Sequence, residues 1–149
     1  MVQAGVAATD DKSNAGKMAI AQIIYDGEWK TRHKGLSVLL NNFNQNTGIP
    51  VKYGIKELRL TDKDLPDSPV IYMTGHESFS FSQQEKKALQ AYIQGGGSLF
   101  AEACCGRIAF DTSFKREITS IFGNLSPIPL NNSLFRNPNP PSLSPQNRN

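Results

Sequence analysis

An α/β domain in three layers, with a mostly parallel sheet between helices, is what the sequence predicts. Three observations predict it. Short apolar runs (MAIAQIIY, VIYM, SLFA) alternate with amphipathic stretches of helical period. Each apolar run ends in a polar or glycine-containing turn, as buried strands do. The resulting order of strand, helix, strand, helix, strand, helix is that of a parallel sheet covered on both faces. With right-handed crossovers, the three main strands lie side by side or nearly so.

The elements follow in order. Residues 1–17 are polar and small and are expected to be a disordered N-terminal segment. Met18–Tyr25 is a buried strand, closed by Asp26-Gly27. A helix is expected from about His33 to Gln45, because Leu36, Leu39, Leu40 and Phe43 fall on one face. Gly48 and Pro50 end it. Glu57–Leu60 reads as a short edge strand and Asp62–Pro69 as a loop. Val70–Met73 is a second buried strand, followed by Thr74-Gly75-His76. Ser82 and Glu85 form a capping box, opening a helix that buries Ala88, Leu89, Tyr92 and Ile93. Gly95-Gly96-Gly97 stops that helix. The triple glycine is no phosphate cradle, since a cradle follows a strand and opens a helix. Ser98–Ala101 is the third strand. Asp111 is expected to cap a third helix, with Phe114, Ile118, Ile121 and Phe122 inward. Leu125–Leu130 reads as an edge strand, the only place its two prolines would allow. The domain is thus placed at 18–136, and residues 137–149, with four prolines and four asparagines, as a disordered tail.

Composition narrows function. The chain has 149 residues, about one domain's worth. Its 16 basic and 13 acidic residues are scattered, for a formal charge of +3. The clusters Lys86-Lys87 and Lys115-Arg116 sit on helices, and no basic stripe or motif points to nucleic acid. No apolar run approaches the roughly 18 residues of a membrane span, and no signal-peptide pattern opens the chain. The expected location is cytoplasmic as written, or exported if a signal sequence has been lost from the start. The only cysteines, Cys104 and Cys105, are adjacent, which excludes a disulfide framework and a zinc ribbon.

In open parallel sheets ligands bind beyond the carboxyl ends of the strands. Those ends carry Asp26, Gly27, Glu28 and Trp29, then Thr74, Gly75, His76 and Glu77, then Glu102, Cys104, Cys105 and Gly106. The candidate ligand-binding set is Asp26, Gly27, Trp29, Thr74, Gly75, His76, Glu102 and Gly106. Tyr25, Trp29, Tyr72, Phe79 and Phe81 flank these loops and could wall a pocket. A cysteine on a tight strand-to-helix turn can be activated by the helix N-terminus and an imidazole, so Cys104, Cys105 and His76 are the candidate catalytic residues. Neither cysteine has small residues on both sides, as a nucleophile elbow needs: Glu102 stands two before Cys104, and Arg107 two after Cys105. A metal site from His76, Glu77, Glu102 and a cysteine has suitable donors but no spacing that specifies an ion, and no metal or cofactor is assigned.

Three phrases together carry a family likeness: IIYDGEWKTRHKGLSVLLNNFNQNTGIPV, VIYMTGHESFSFSQQEKKAL and GGGSLFAEACCGRIAFDTSFKREI. From about Met18 to Phe135 the chain resembles the bacterial family catalogued as domain of unknown function 4159. That family's fold is similar to class I glutamine amidotransferases, with a flavodoxin-like sheet. Asn131–Phe135 departs from the family, which tends to have histidine-proline there. The tail replaces further expected strands, so the resemblance implies a sheet incomplete at its C-terminus, with an open apolar edge that invites self-association. It also argues against glutaminase chemistry. Those enzymes run in the order Cys…His…Glu, and no histidine follows residue 76 here. The leading expectation is an amidotransferase-like domain without glutaminase activity, binding a small ligand or protein partner at the strand ends. The alternatives are a cysteine-dependent hydrolase or transferase with His76 as base, and a metal-assisted enzyme.

Overall fold

The computed structural model describes residues 16–31 and 34–136. The expected N-terminal segment, apart from Gly16 and Lys17, lies outside these residues, as do the expected tail at 137–149 and His33. Four strands form one parallel sheet: β1 (Ile20–Ile24), β2 (Lys56–Arg59), β3 (Val70–Gly75) and β4 (Ser98–Ala103), in the order β2-β1-β3-β4. Three helices cover it: α1 (Gly35–Thr47), α2 (Gln83–Gln94) and α3 (Ile108–Phe122). The architecture is a three-layer α/β fold. β1, β3 and β4 are neighbours, as the crossover argument requires.

Strand alternation sorts the core into two halves. On one face Ile20 and Tyr72 meet Leu36 and Leu40 of α1, with Val51. On the other, Ala21, Ile23, Ile71 and Met73 meet Leu89 and Tyr92 of α2 and Phe110 and Ile118 of α3. The connection from β2 to β3 contributes Leu60 and Leu65 to this second half. A bridge between Met18 and Val51 extends β1 backwards. The Ser82–Glu85 capping box is present. α1 ends on Gly48, whose left-handed φ of 70° lets its amide reach the Asn44 carbonyl.

Several expectations are corrected. Leu125–Leu130 forms no strand; Pro127 and Pro129 cannot donate to a ladder, and the segment pairs with nothing in the sheet. Asp111 is not a cap. A 3-10 turn at Cys104–Gly106 leads into α3 through Arg107, so Asp111 lies within the first turn and binds Lys115 at 2.7 Å. Phe122 of α3 and Leu39 of α1 are exposed. α3 instead buries Ser113 and Glu117, both polar. β4 is longer than expected, and one of its faces is open: Ser98, Phe100 and Glu102 are exposed while Leu99, Ala101 and Ala103 turn inward. No helix among the described residues is long and apolar enough to cross a membrane.

Candidate functional site

The β2-β1-β3-β4 order creates a topological switch point between β1 and β3, because the chain leaves β1 toward one edge and β3 toward the other. Ligand crevices form at such points. Here the exits of β1, β3 and β4 meet.

The β1 exit is held by Tyr25. Its hydroxyl donates to the Thr74 carbonyl at 3.0 Å and the Glu28 carbonyl at 3.2 Å, one proton shared between two acceptors. Burial, then the nearby Glu28 and Glu77, push the phenol well above its ordinary range. Gln22, buried on β1, donates to the Trp29 carbonyl at 2.7 Å and draws the loop back over the sheet. Glycine is required at residue 75, where a Cβ would lie 2.0 Å from the Tyr25 hydroxyl and 2.7 Å from the Phe110 ring.

The β3 exit is pinned to α3. The Phe79 amide donates to Ser113 and the Phe81 amide to Glu117, each at 3.3 Å. Arg116 also donates to the Phe79 carbonyl. The Glu117 carboxylate is buried and meets Lys86 and Arg116, both at 2.9 Å. Burial alone would raise its pKa; the donors from Lys86, Arg116 and the Phe81 amide outweigh burial and hold it below the usual carboxylate range.

At the β4 exit the backbone does something unusual for a side chain with a Cβ. Cys105 has φ 57° and ψ 24°, the one left-handed non-glycine among the described residues, and Gly106 follows at φ 67°. Such a conformation costs about 1–2 kcal/mol and concentrates at functional sites. Adjacent side chains on an extended strand point to opposite faces. The left-handed turn defeats that alternation, and Cys104 Sγ and Cys105 Sγ come within 3.6 Å. That is far beyond a disulfide bond of about 2.05 Å, so both are thiols. Cys104 is buried and Cys105 exposed.

His76 joins the two halves of the site. Its Nδ1 lies 2.9 Å from Glu28 Oε2. An ionised carboxylate only accepts, so Nδ1 carries a proton, and in the neutral imidazole Nε2 is the nitrogen with the lone pair. The Glu28 bond raises the imidazole's pKa most; burial, the next effect, opposes it, and the Cys104 thiol adds to the rise, so the net shift is upward. His76, Cys104 and Cys105 bring their donor atoms within 4.8 Å of one another. His76 and Cys105, with Gly106, Arg107, Ile108 and Ala109, line an open cleft of about 520 Å³. α3 begins at its floor, and Arg107 supplies no side-chain cap to the first-turn amides.

Of the expected ligand-binding residues, His76 and Gly106 line this cleft. Thr74 and Gly75 are buried beneath it, and Thr74 faces Thr31 at 3.4 Å. Asp26 and Gly27 stand exposed on the β1 loop, and Trp29 packs against the core. Glu102 is elsewhere: it accepts a 2.6 Å bond from Tyr72, whose phenol is pushed up to about 12 by burial and then by that carboxylate. Of the donors His76, Glu77, Glu102 and a cysteine, the structure brings together His76 with Cys104 and Cys105 and leaves both carboxylates out of the group. Glu28 belongs to the site and was not in the expected set. Its signal was only a carboxylate in the neighbouring strand-end loop. A second cleft of about 570 Å³ lies between the β2–β3 connection and the end of α2, lined by residues such as Leu65, Tyr92 and Gly96. It carries no cysteine or histidine.

The fold and site thus define an α/β domain of doubly wound type with a histidine and two thiols at its switch-point end. More particularly, the chain belongs to the family described as Domain of unknown function (DUF4159), which it matches over residues 19–145. No curated protein matches the chain.

Proposed function

We propose that this domain is a thiol-dependent enzyme of hydrolase or acyl-transfer type, with Cys105 as nucleophile, His76 as general base and Glu28 as the group that orients the imidazole. The observation that carries it is the Glu28–His76 hydrogen bond of 2.9 Å beside a strained, exposed cysteine in the same cleft. In the reading, Nε2 takes the Cys105 proton as Sγ attacks an acyl carbon. The imidazolium formed is stabilised by Glu28, and the proton passes to the leaving group. First-turn amides of α3 receive the developing oxyanion. Water then cleaves the thioester, with His76 again as base. Cys104, behind Cys105, shapes the turn. The order Glu28…His76…Cys105 differs from that of class I glutamine amidotransferases. A shared fold with them therefore fits the sheet order, while glutaminase activity is not part of the proposal.

The test is alkylation by iodoacetamide at pH 6.5 with chelator present, read by mass spectrometry. An ordinary thiol of pKa about 8.5 is only about 1% thiolate there. Cys105 should react at least tenfold faster than glutathione, and the excess should vanish in His76→Ala and fall severalfold in Glu28→Gln. A Cys105 rate equal to glutathione's, or unchanged by His76→Ala, would overturn the reading.

A further inference from the structure

We propose that Cys104 Sγ, Cys105 Sγ and His76 Nε2 form a binding site for one thiophilic divalent cation of the Zn²⁺ class, with solvent in the fourth position. Four observations carry it. The first is the sulfur spacing. Two thiolates at about 2.3 Å from a tetrahedral Zn²⁺ stand about 3.8 Å apart, and the two Sγ atoms are already 3.6 Å apart. The second is the backbone. A nucleophile needs one thiol, and the left-handed Cys105 puts two on the same side of the chain. The third is the imidazole. One ring nitrogen of His76 and both sulfurs lie within 4.8 Å of one another. With Nδ1 committed to Glu28, Nε2 is the nitrogen left for an ion. A rotation of this partly exposed side chain would bring it to the sulfur-to-nitrogen spacing of about 3.6 Å in such a site. The fourth is Glu28. A metal-bound histidine characteristically gives its other N–H to a carboxylate, which fixes its tautomer and strengthens it as a ligand. His76 Nδ1 does so at 2.9 Å.

The donor set of two sulfurs and one nitrogen selects zinc-like ions over magnesium or calcium, which require oxygen. The cleft of about 520 Å³ leaves the fourth position open. Binding is balanced by protons. The cation takes two thiolates, two protons leave to solvent, and affinity rises with pH. The same ion occupies the Nε2 lone pair and the Cys105 sulfur, so a loaded site is silent as a nucleophile. The proposal stands on the sulfur spacing and does not need the enzymatic reading.

The experiment strips the whole chain with chelator and titrates it with Co²⁺, then with Zn²⁺ as competitor. Expected are a near-ultraviolet thiolate-to-cobalt charge-transfer band and intense visible bands of four-coordination, saturating at one equivalent and bleached by Zn²⁺. Cys104→Ser and Cys105→Ser should each cut the band and weaken affinity at least a hundredfold. His76→Ala, a surface change that spares the core, should weaken it comparably, and Glu28→Gln about 10–100-fold. Zn²⁺ should protect Cys105 from iodoacetamide. Absence of the charge-transfer band, or a band and affinity unchanged in His76→Ala, overturns the site. A cobalt site without fast alkylation removes the nucleophile reading alone, and fast alkylation without a cobalt site removes this one alone.

Discussion

Replacing Gly75 by alanine tests how the β1 and β3 exits are locked together. The new Cβ would lie 2.0 Å from the Tyr25 hydroxyl and 2.7 Å from Phe110 Cδ2. Neither neighbour can give way cheaply, because Phe110 and Tyr25 are both in the core. The hydroxyl must retreat by more than 1 Å to reach ordinary contact, which breaks its bonds to the Thr74 and Glu28 carbonyls. Overpacking costs about 1–3 kcal/mol, and a buried carbonyl stripped of its donor about 1–3 kcal/mol. The expected loss is about 3–5 kcal/mol, a large part of the roughly 5–15 kcal/mol that holds a domain folded.

Urea unfolding at fixed pH measures this directly. With a slope of about 1–3 kcal/mol/M, the midpoint should fall by about 2 M at unchanged slope. Tyr25→Phe alone should cost about 1 kcal/mol. The double variant should recover at least about 1 kcal/mol relative to the sum of the two, because the clashing hydroxyl is gone while the Phe110 contact persists. A midpoint shift below about 0.5 M, or strict additivity in the double variant, would mean that the Tyr25 hydroxyl does not crowd residue 75.

Two other outcomes are expected. Glu117→Leu should destabilise by about 2–3 kcal/mol in the same assay, since it strips the Phe81 amide and Lys86 of their buried partner; a change under 0.5 kcal/mol would deny Glu117 its anchoring role. The His76–Glu28 pair should stabilise the fold fully below about pH 6.5, the imidazole's unfolded value, and lose that contribution as pH rises through its raised folded value. A falling Tm from pH 6.5 upward, absent in Glu28→Gln, checks the sign, and a flat or rising profile contradicts it.

The elements that declare themselves in the amino-acid order are those governed by local physics. The apolar runs of β1 and β3, the Ser82–Glu85 box and the Gly48 exit each carry their cause within a few residues. What fails depends on distant partners. SLFA resembles a doubly buried strand, yet Phe100 is 45% exposed: on that face of β4 its ring is stacked on Tyr72, and Ser98 and Glu102 beside it are exposed too. Ser113 and Glu117 interrupt the apolar face of α3 because the β3 exit loop lends them partners. The pairing of His76 with the thiols follows from register. Thr74 lies opposite Glu102 and Gly75 opposite Ala103, so the next step sets His76 beside Cys104. Glu102 shares a face with Phe100 and is held there by the Tyr72 hydroxyl, one pleat back from the thiols. The left-handed Cys105 has no local signature, since cysteine is not a residue that seeks positive φ.

The site is a property of the sheet order more than of any motif. Glu28, His76 and the cysteines lie far apart in the chain, on the exits of β1, β3 and β4. They converge because those strands are consecutive neighbours and all run the same way. No short pattern in the sequence specifies the cluster, and neither cysteine meets the small-residue rule of a nucleophile elbow. The turn reaches its strained geometry with Gly106 taking up a second positive φ. Strain at Cys105 without a ligand or reaction to use it would be a cost of about 1–2 kcal/mol that an extended residue there avoids. The proposed roles of the paired thiols, as nucleophile or as ligands, would give that strain a use at a position where glycine would sit without it.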